Sequence, residues 1–330
     1  MIMRTYMNVV SGALRAIVAG SLLVMPFCAA AQDWPRKGLT LVAPFTAGGI
    51  TDILTRIMAD GLGKALGQPA VVENRAGAGG SIGLAYVLSQ PADGYTLAMG
   101  GNGPSAIVPS LNPNVKYAPR DFEAVAFVAA LPSMLVVHPS VPGKTVQEFA
   151  AYAKSQGASV TCASHGEGSF NHLACVQFNR ITGSAMTHVP YKGASAVNAD
   201  LLTGRVQVYF AVLPTVISFI RSGQLKALAT GDQERVAALP DVPTLKEAGV
   251  PGIVIGSWNA LYVKAGTPAP VLARLRAESD KILKRPEVVA RIAATDAVTR
   301  PIDAARLGQM TQDEYDAYGR IAREGGVKLN

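Results

Sequence analysis

Short apolar runs alternate along this chain with segments whose apolar residues recur at helical spacing, and that alternation admits few architectures. A strand that is apolar throughout needs cover on both faces, and intervening amphipathic helices supply it. The pattern predicts an α/β fold with parallel-rich sheets. The first run is Leu39–Pro44; after a Gly-bearing turn, Ile53, Leu54, Ile57, Met58, Leu62, Ala65 and Leu66 mark one helix face and Gly67 a stop. Further strands are predicted at 70–72, 96–99, 124–129, 134–137, 160–163, 187–189, 206–210 and 225–229. Helices are predicted over 146–154, 171–181, 194–202 and 268–283, with a helix-rich tail at 303–323.

The first 31 residues stand apart from this pattern. Arg4 and Arg15 form a basic flank, 16–27 carry no charge, and Ala29-Ala30-Ala31 is the small-residue cleavage site of a secretory signal peptide. The uncharged stretch, about a dozen residues, is shorter than the roughly 20 that cross a bilayer as a helix. Phe27 ahead of Cys28 is too bulky for a lipoprotein signal. The expected product is an exported soluble protein starting near Gln32. It keeps 299 residues, and its formal charge falls from +7 to +5.

That length fits two domains, yet no flexible linker or low-complexity tract separates them. The chain is therefore expected to cross between domains on ordered segments, best placed at Ser133–His138 and Trp258–Val263. One lobe would combine 33–132 with 257–330, and the other would span 133–256. Lysines and arginines are scattered and aromatic residues make up only 6% of the chain, so no nucleic-acid partner is expected. No Cys-x-x-Cys or His-x-x-x-His spacing supports a metal site. Cys162 and Cys175 are a candidate disulfide in an oxidising compartment, two buried free thiols being the alternative.

Three small-residue turns join a strand to a helix. In Pro44–Asp52, backbone N–H groups at the positive end of a helix dipole suit a carboxylate or phosphate; the alternative is a tight turn that needs Gly only for its dihedrals. Gly77–Gly83 approaches a dinucleotide fingerprint, but Ile82 takes the place of its last Gly. Gly143-Lys144-Thr145 has His138 where a P-loop needs its first Gly. The Gly77 stretch reads as a close-packed helix start, and no cofactor is expected. Ser164–His172 offers a second set of amides. A hydrolase would draw on Ser164 or Ser169 with His165 or His172, but the G-x-S-x-G elbow is absent, so no enzyme activity is expected. His138 and His188 read as partly buried strand residues.

These turns stand in an ordered series with Trp34-Pro35, Lys37, Gly67-Gln68, Val71–Gly83, Pro91–Leu97, His188–Gly193, Asp200–Leu202, Leu239–Thr244 and Gly266–Pro268. The series resembles the Bug family, periplasmic solute-binding receptors of tripartite tricarboxylate transporters, over essentially the whole chain after residue 31. The resemblance implies a periplasmic binding protein fold of type II, two lobes joined by two crossing segments and closing on a ligand. It implies that Phe45, Ala47, Gly48, Gly49 and Asp52 hold one carboxylate. Ser164, Gly166, Gly168 and Ser169 would face them, with Tyr191 and Lys192 close by. Gly101 and Asn102 join the set because α/β ligands bind at the carboxyl ends of strands. The implied partners are a small organic acid and inner-membrane transporter subunits or a sensor kinase, with a monomer as the working unit. Ala211 stands where many members carry an acidic residue that pairs with a ligand ammonium group. A plain organic acid is therefore expected over an amino acid, unless Ala211 never touches the ligand.

Overall fold

Two five-stranded sheets carry the chain, and both repeat one arrangement. The computed structural model describes residues 34–327 apart from Lys192, Gln233, Gly252, Val254, Ile255 and Gly326, so the segment 1–31, expected to be a signal peptide, lies outside the described residues. The first sheet runs β2 (Ala70–Asn74), β1 (Leu39–Ala43), β3 (Thr96–Gly101), β10 (Ser257–Lys264), β4 (Phe122–Leu131). The second runs β7 (Thr187–Pro190), β6 (Thr161–Ser164), β8 (Val208–Val212), β5 (Ser133–Val137), β9 (Lys226–Thr230). β1 pairs in parallel with β2 and β3, and β6 with β7 and β8. β10 runs antiparallel to β3 and β4, and β5 to β8 and β9. In each sheet one strand is thus reversed among four that point the same way.

The reversed strand is in both cases the one that has just arrived from the other sheet. β5 follows β4 across Pro132, and β10 follows residues 231–256 after β9. The crossings therefore fall just ahead of the two segments expected to carry them. Those segments are themselves interior strands, because an apolar run with partners on both sides satisfies its backbone groups in ladder hydrogen bonds that a bare connector would forgo. From Lys37 onward the chain packs as one compact unit.

Helices cover the sheets as the periodicity predicts. α1 (Ile50–Leu66) buries Leu54, Ile57, Met58 and Leu62, and Gly67 ends it. α2 (Ser81–Ser89) starts at the Gly77–Gly83 stretch and presses on the first turn; a Cβ on Gly83 would lie 2.9 Å from that of Pro44. α3 (Val146–Gln156) is capped by Thr145 and Glu148 in a reciprocal box, so Gly143-Lys144-Thr145 opens a helix. α4 (Phe170–Thr182) and α5 (Ala194–Leu202) flank the second sheet. α6 (Ala269–Leu283) packs on α1, followed by α7 (Pro286–Ala293) and α8 (Ala304–Glu324). Tyr318 and Ile321 of α8 share an apolar cluster with Ile107 and Leu173 of α4, which ties the two sheets' helices together. Among the described residues no helix is long and apolar enough to cross a membrane.

Cys162 of β6 and Cys175 of α4 are disulfide-bonded inside the core of the second sheet. The bond closes the strand–turn–helix unit that contains Ser164–Ser169. Replacing both cysteines by alanine is expected to lower unfolding stability by about 3 kcal/mol, the chain-entropy value for a loop of this size. Urea denaturation of the oxidised protein and the double variant measures it, and equal midpoints would contradict the account.

Candidate functional site

Turns at the carboxyl edges of both sheets enclose one cavity of about 940 Å³. From the first sheet, Phe45, Thr46, Gly48 and Gly49 follow β1, while Ile50, Thr51 and Ile53 begin α1. Gly101 ends β3 and Asn102, Gly103 and Pro104 follow it, and Ser257, Trp258 and Asn259 open β10 at the same edge because that strand is reversed. From the second sheet come His165 and the run Glu167–Asn171 between β6 and α4, with Val212, Pro214 and Thr215 after β8. Thr295 and Asp296 add a segment after α7.

The first turn is shaped from behind. Gly48 adopts φ +83, a conformation strained for a residue with a Cβ. Asp52 is 3% exposed and does not line the cavity. Its Oδ2 accepts from the Gly48 N–H at 2.9 Å and from Arg56 Nε at 3.0 Å, and its Oδ1 accepts from Asn74 Nδ2 at 2.9 Å. Asn74 also donates to the Phe45 carbonyl at 3.1 Å. Burial disfavours the charged carboxyl, but the hydrogen bonds from Arg56, Gly48 and Asn74 outweigh it and hold the pKa down at about 2. Asp52, expected among the ligand contacts, instead braces the turn that lines the cavity.

The second turn is braced in the same manner. Ser164 is fully buried; its Oγ lies 2.6 Å from His188 Nε2 and accepts from the Gly166 N–H at 3.0 Å. Ser169 Oγ donates to the Gly166 carbonyl at 2.7 Å and caps α4. His172 Nδ1 accepts from the Gly168 N–H at 3.1 Å, and its ring stacks on His188 with centroids 3.7 Å apart. Burial, with the neighbouring His188, pushes His172 down to about 4, so it stays a neutral acceptor at neutral pH. Of the two serines a hydrolase would draw on, Ser164 is enclosed beneath the wall and bonded to His188, and Ser169, which lines the cavity, donates its hydroxyl to the Gly166 carbonyl.

Of the residues expected at the ligand, Phe45, Gly48, Gly49, Gly101, Asn102, Gly168 and Ser169 line the cavity. Ala47, Asp52, Ser164, Gly166, Tyr191 and Ala211 do not. The Tyr191 hydroxyl is turned away to Asp200 Oδ2 at 2.9 Å. Ala211 is fully buried opposite Met134 in the interior of its sheet, so its methyl group touches core and says nothing about ammonium recognition. Lys192 lies outside the described residues. Trp258, Asn259, Asn171 and the 295–296 segment were not foreseen. A sequence pattern does not reveal which interior strand is reversed and so opens at this edge.

No Lys or Arg lines the cavity among the described residues, and its two acids are Glu167 and Asp296. Burial pushes the lining His165 down to about 4, and its Nε2 is engaged with the Tyr209 hydroxyl. First-turn N–H groups of α1 and α4 have no partners within their own helices, and of these the His172 N–H is taken by the capping Ser169 Oγ. Behind the wall, Trp258 Nε1 donates to both oxygens of Glu314 at 3.0 and 3.1 Å. Burial pushes that carboxyl up to about 7.

The family model described as "Tripartite tricarboxylate transporter family receptor" matches residues 54–327. BugT of Bordetella pertussis is 34% identical over 301 residues, covering 91% of this chain and 92% of its own. MatC of Rhodopseudomonas palustris, solved with bound malate, superposes with a TM-score of 0.75 at 32% identity, covering 87% of this chain and 99% of that one. A second R. palustris protein, solved with adipate, gives 0.78 at 31%, covering 89% and 99%. The two-sheet α/β architecture is the periplasmic-binding-protein fold of these structures.

Glu314 makes stability depend on pH. Between about pH 4.5 and 7 the folded form keeps a proton that the unfolded chain has lost, so this contribution is full below that window and lost as pH rises through it. Between pH 5 and 8, wild type is expected to lose on the order of 2–3 kcal/mol that Glu314→Gln retains. Chemical denaturation of both proteins at the two pH values checks this; identical pH dependence would contradict it.

Proposed function

The chain belongs to the tripartite tricarboxylate transporter receptor family, and on that premise we propose that it is a periplasmic receptor for a small carboxylate-bearing metabolite. The ligand is captured between two lobes, 33–132 with 257–330 and 133–256, and is passed unaltered to transporter subunits in the inner membrane. One observation carries the reading: the starts of α1 and α4, one against each sheet, line the same cavity, and no Lys or Arg lines it among the described residues. Helix N-termini hold anions through oriented N–H groups, and a charge-assisted hydrogen bond contributes about 1.5–3 kcal/mol.

In this reading Phe45, Gly48, Gly49, Gly101, Asn102, Gly168 and Ser169 meet the ligand. Asp52, Ser164 and Gly166 hold the turns from behind, with Tyr191 tied to Asp200 beside them. Because donors lie on both sheets, a ligand makes its full set of contacts only with the lobes closed, and binding shifts the population toward that form. The closed monomer then docks on the membrane subunits. Export by a cleaved signal at 1–31 places it in the same compartment as the related periplasmic binding proteins. The malate and adipate in two relatives point to dicarboxylates as the first ligands to try.

Isothermal titration of the purified protein with malate, adipate and citrate is expected to show micromolar or tighter binding to at least one, with the acid recovered unchanged. Ser169→Ala, which removes a cap contributing about 1 kcal/mol, should weaken that binding roughly fivefold. Heat signals absent for every acid, or conversion of one of them, would overturn the reading.

A further inference from the structure

We propose that His165 is a ligand-binding residue that offers the N–H of its Nδ1 to the carboxylate of the captured acid, and that Tyr209 is the positioning residue that fixes the ring in that form. The inference rests on the carboxylate-receptor reading and adds a side-chain contact to it. His165 directly follows β6, lines the cavity and is only partly buried. Its Nε2 is hydrogen-bonded to the Tyr209 hydroxyl. Its Nδ1 makes no hydrogen bond among the described residues, yet it is not closed off from water. An open nitrogen in the cavity wall is within reach of a small solute.

Tyr209 decides which ring nitrogen carries the proton. It is fully buried in β8, where a phenol O–H needs an acceptor. Burial raises its pKa, so the hydroxyl keeps its proton to donate. The Thr215 hydroxyl beside it donates to the Val212 carbonyl at 2.8 Å. An imidazole nitrogen is a far stronger base than that hydroxyl oxygen, so the phenol donates to His165 Nε2. Burial also pushes His165 down to about 4, so the ring is neutral at neutral pH. A neutral imidazole that accepts at Nε2 carries its one N–H at Nδ1.

Packing holds the ring in place as well. It stands edge-on to Phe170, with centroids 6.4 Å apart at 86°, and 5.7 Å from the ring of Tyr209. A donor fixed before the ligand arrives loses little freedom on binding. Other side-chain donors in the wall are committed within the protein. Ser169 donates to the Gly166 carbonyl, Trp258 to Glu314, and Thr295 to the Ile292 carbonyl at 2.7 Å. A bond from the His165 N–H to a carboxylate is charge-assisted through its acceptor.

Titration and nuclear magnetic resonance test this together. Whichever of malate, adipate and citrate binds wild type most tightly is titrated into His165→Phe, His165→Asn and Tyr209→Phe. His165→Phe removes the donor and should weaken binding roughly tenfold or more, as expected for a hydrogen bond to a charged group. His165→Asn puts an amide nitrogen close to the Nδ1 position and should bind within about threefold of wild type. In nitrogen-15-labelled wild type at neutral pH, the His165 signals, assigned by their loss in His165→Asn, should show a protonated Nδ1 and a bare Nε2. The Nδ1 proton should move downfield when the acid is added. Tyr209→Phe should shift the ring toward the Nε2–H form and weaken binding about threefold or more. The tautomer is read on wild type, so the test stands even where a variant does not fold. A wild-type ring protonated at Nε2, or His165→Phe binding as tightly as wild type, overturns the inference and leaves the receptor reading intact. Silence from all three acids overturns both.

Discussion

The whole arrangement depends on backbone N–H groups being held at fixed positions around a cavity whose described lining offers no cationic side chain. A flexible lysine can find an anion from several starting points, whereas an amide donor is useful only where the turn puts it. That constraint explains why so many polar residues near the cavity work behind it. Asp52, Arg56 and Asn74 form one brace, holding the Gly48 amide and the Phe45 carbonyl. Ser164, His172 and His188 form the other, holding the Gly166 and Gly168 amides. Asp52 and Ser164, at the centre of the two braces, are shielded from water, where hydrogen bonds to them are strongest.

The two braces differ in chemistry. The first is ionic and stays charged far below neutral pH, because three donors converge on one carboxylate. The second is neutral, because burial lowers both imidazoles and the neighbouring His188 lowers His172 further. The disulfide adds a covalent restraint to the second alone, joining the strand before the turn to the helix after it. A neutral, cross-linked turn on one side and a charged, hydrogen-bonded one on the other both fix turns that line one cavity.

The reversed strands connect this local chemistry to the fold. Because β10 runs against its neighbours, its first residues meet the carboxyl ends of β3 and β4, which brings Trp258 and Asn259 to the cavity. The same reversal makes β5 and β10 the first strands after each crossing. The chain passes from one sheet to the other at Pro132 and returns between β9 and β10. The apolar cluster between α4 and α8 buries Leu173 and Tyr318 where the helices of the two sheets meet.

Much of this was legible in the residues themselves. Apolar periodicity located nearly every strand and helix, since a two-faced strand and a one-striped helix leave different patterns. Glycine-rich turns at 44–52 and 164–172 marked the two helix starts, because only small residues let amides stand clear there. What remained illegible was orientation: whether Asp52 and Ser164 turn toward a ligand or away from it, and that Ala211 lies in the core. The pairing of Ser164 with His188, 24 positions away, has no local signal either. Composition and spacing determine which segments can be strands, helices and donor-rich turns. Only tertiary packing decides which strand is reversed and which polar group faces the cavity, because both depend on contacts between residues far apart in the chain.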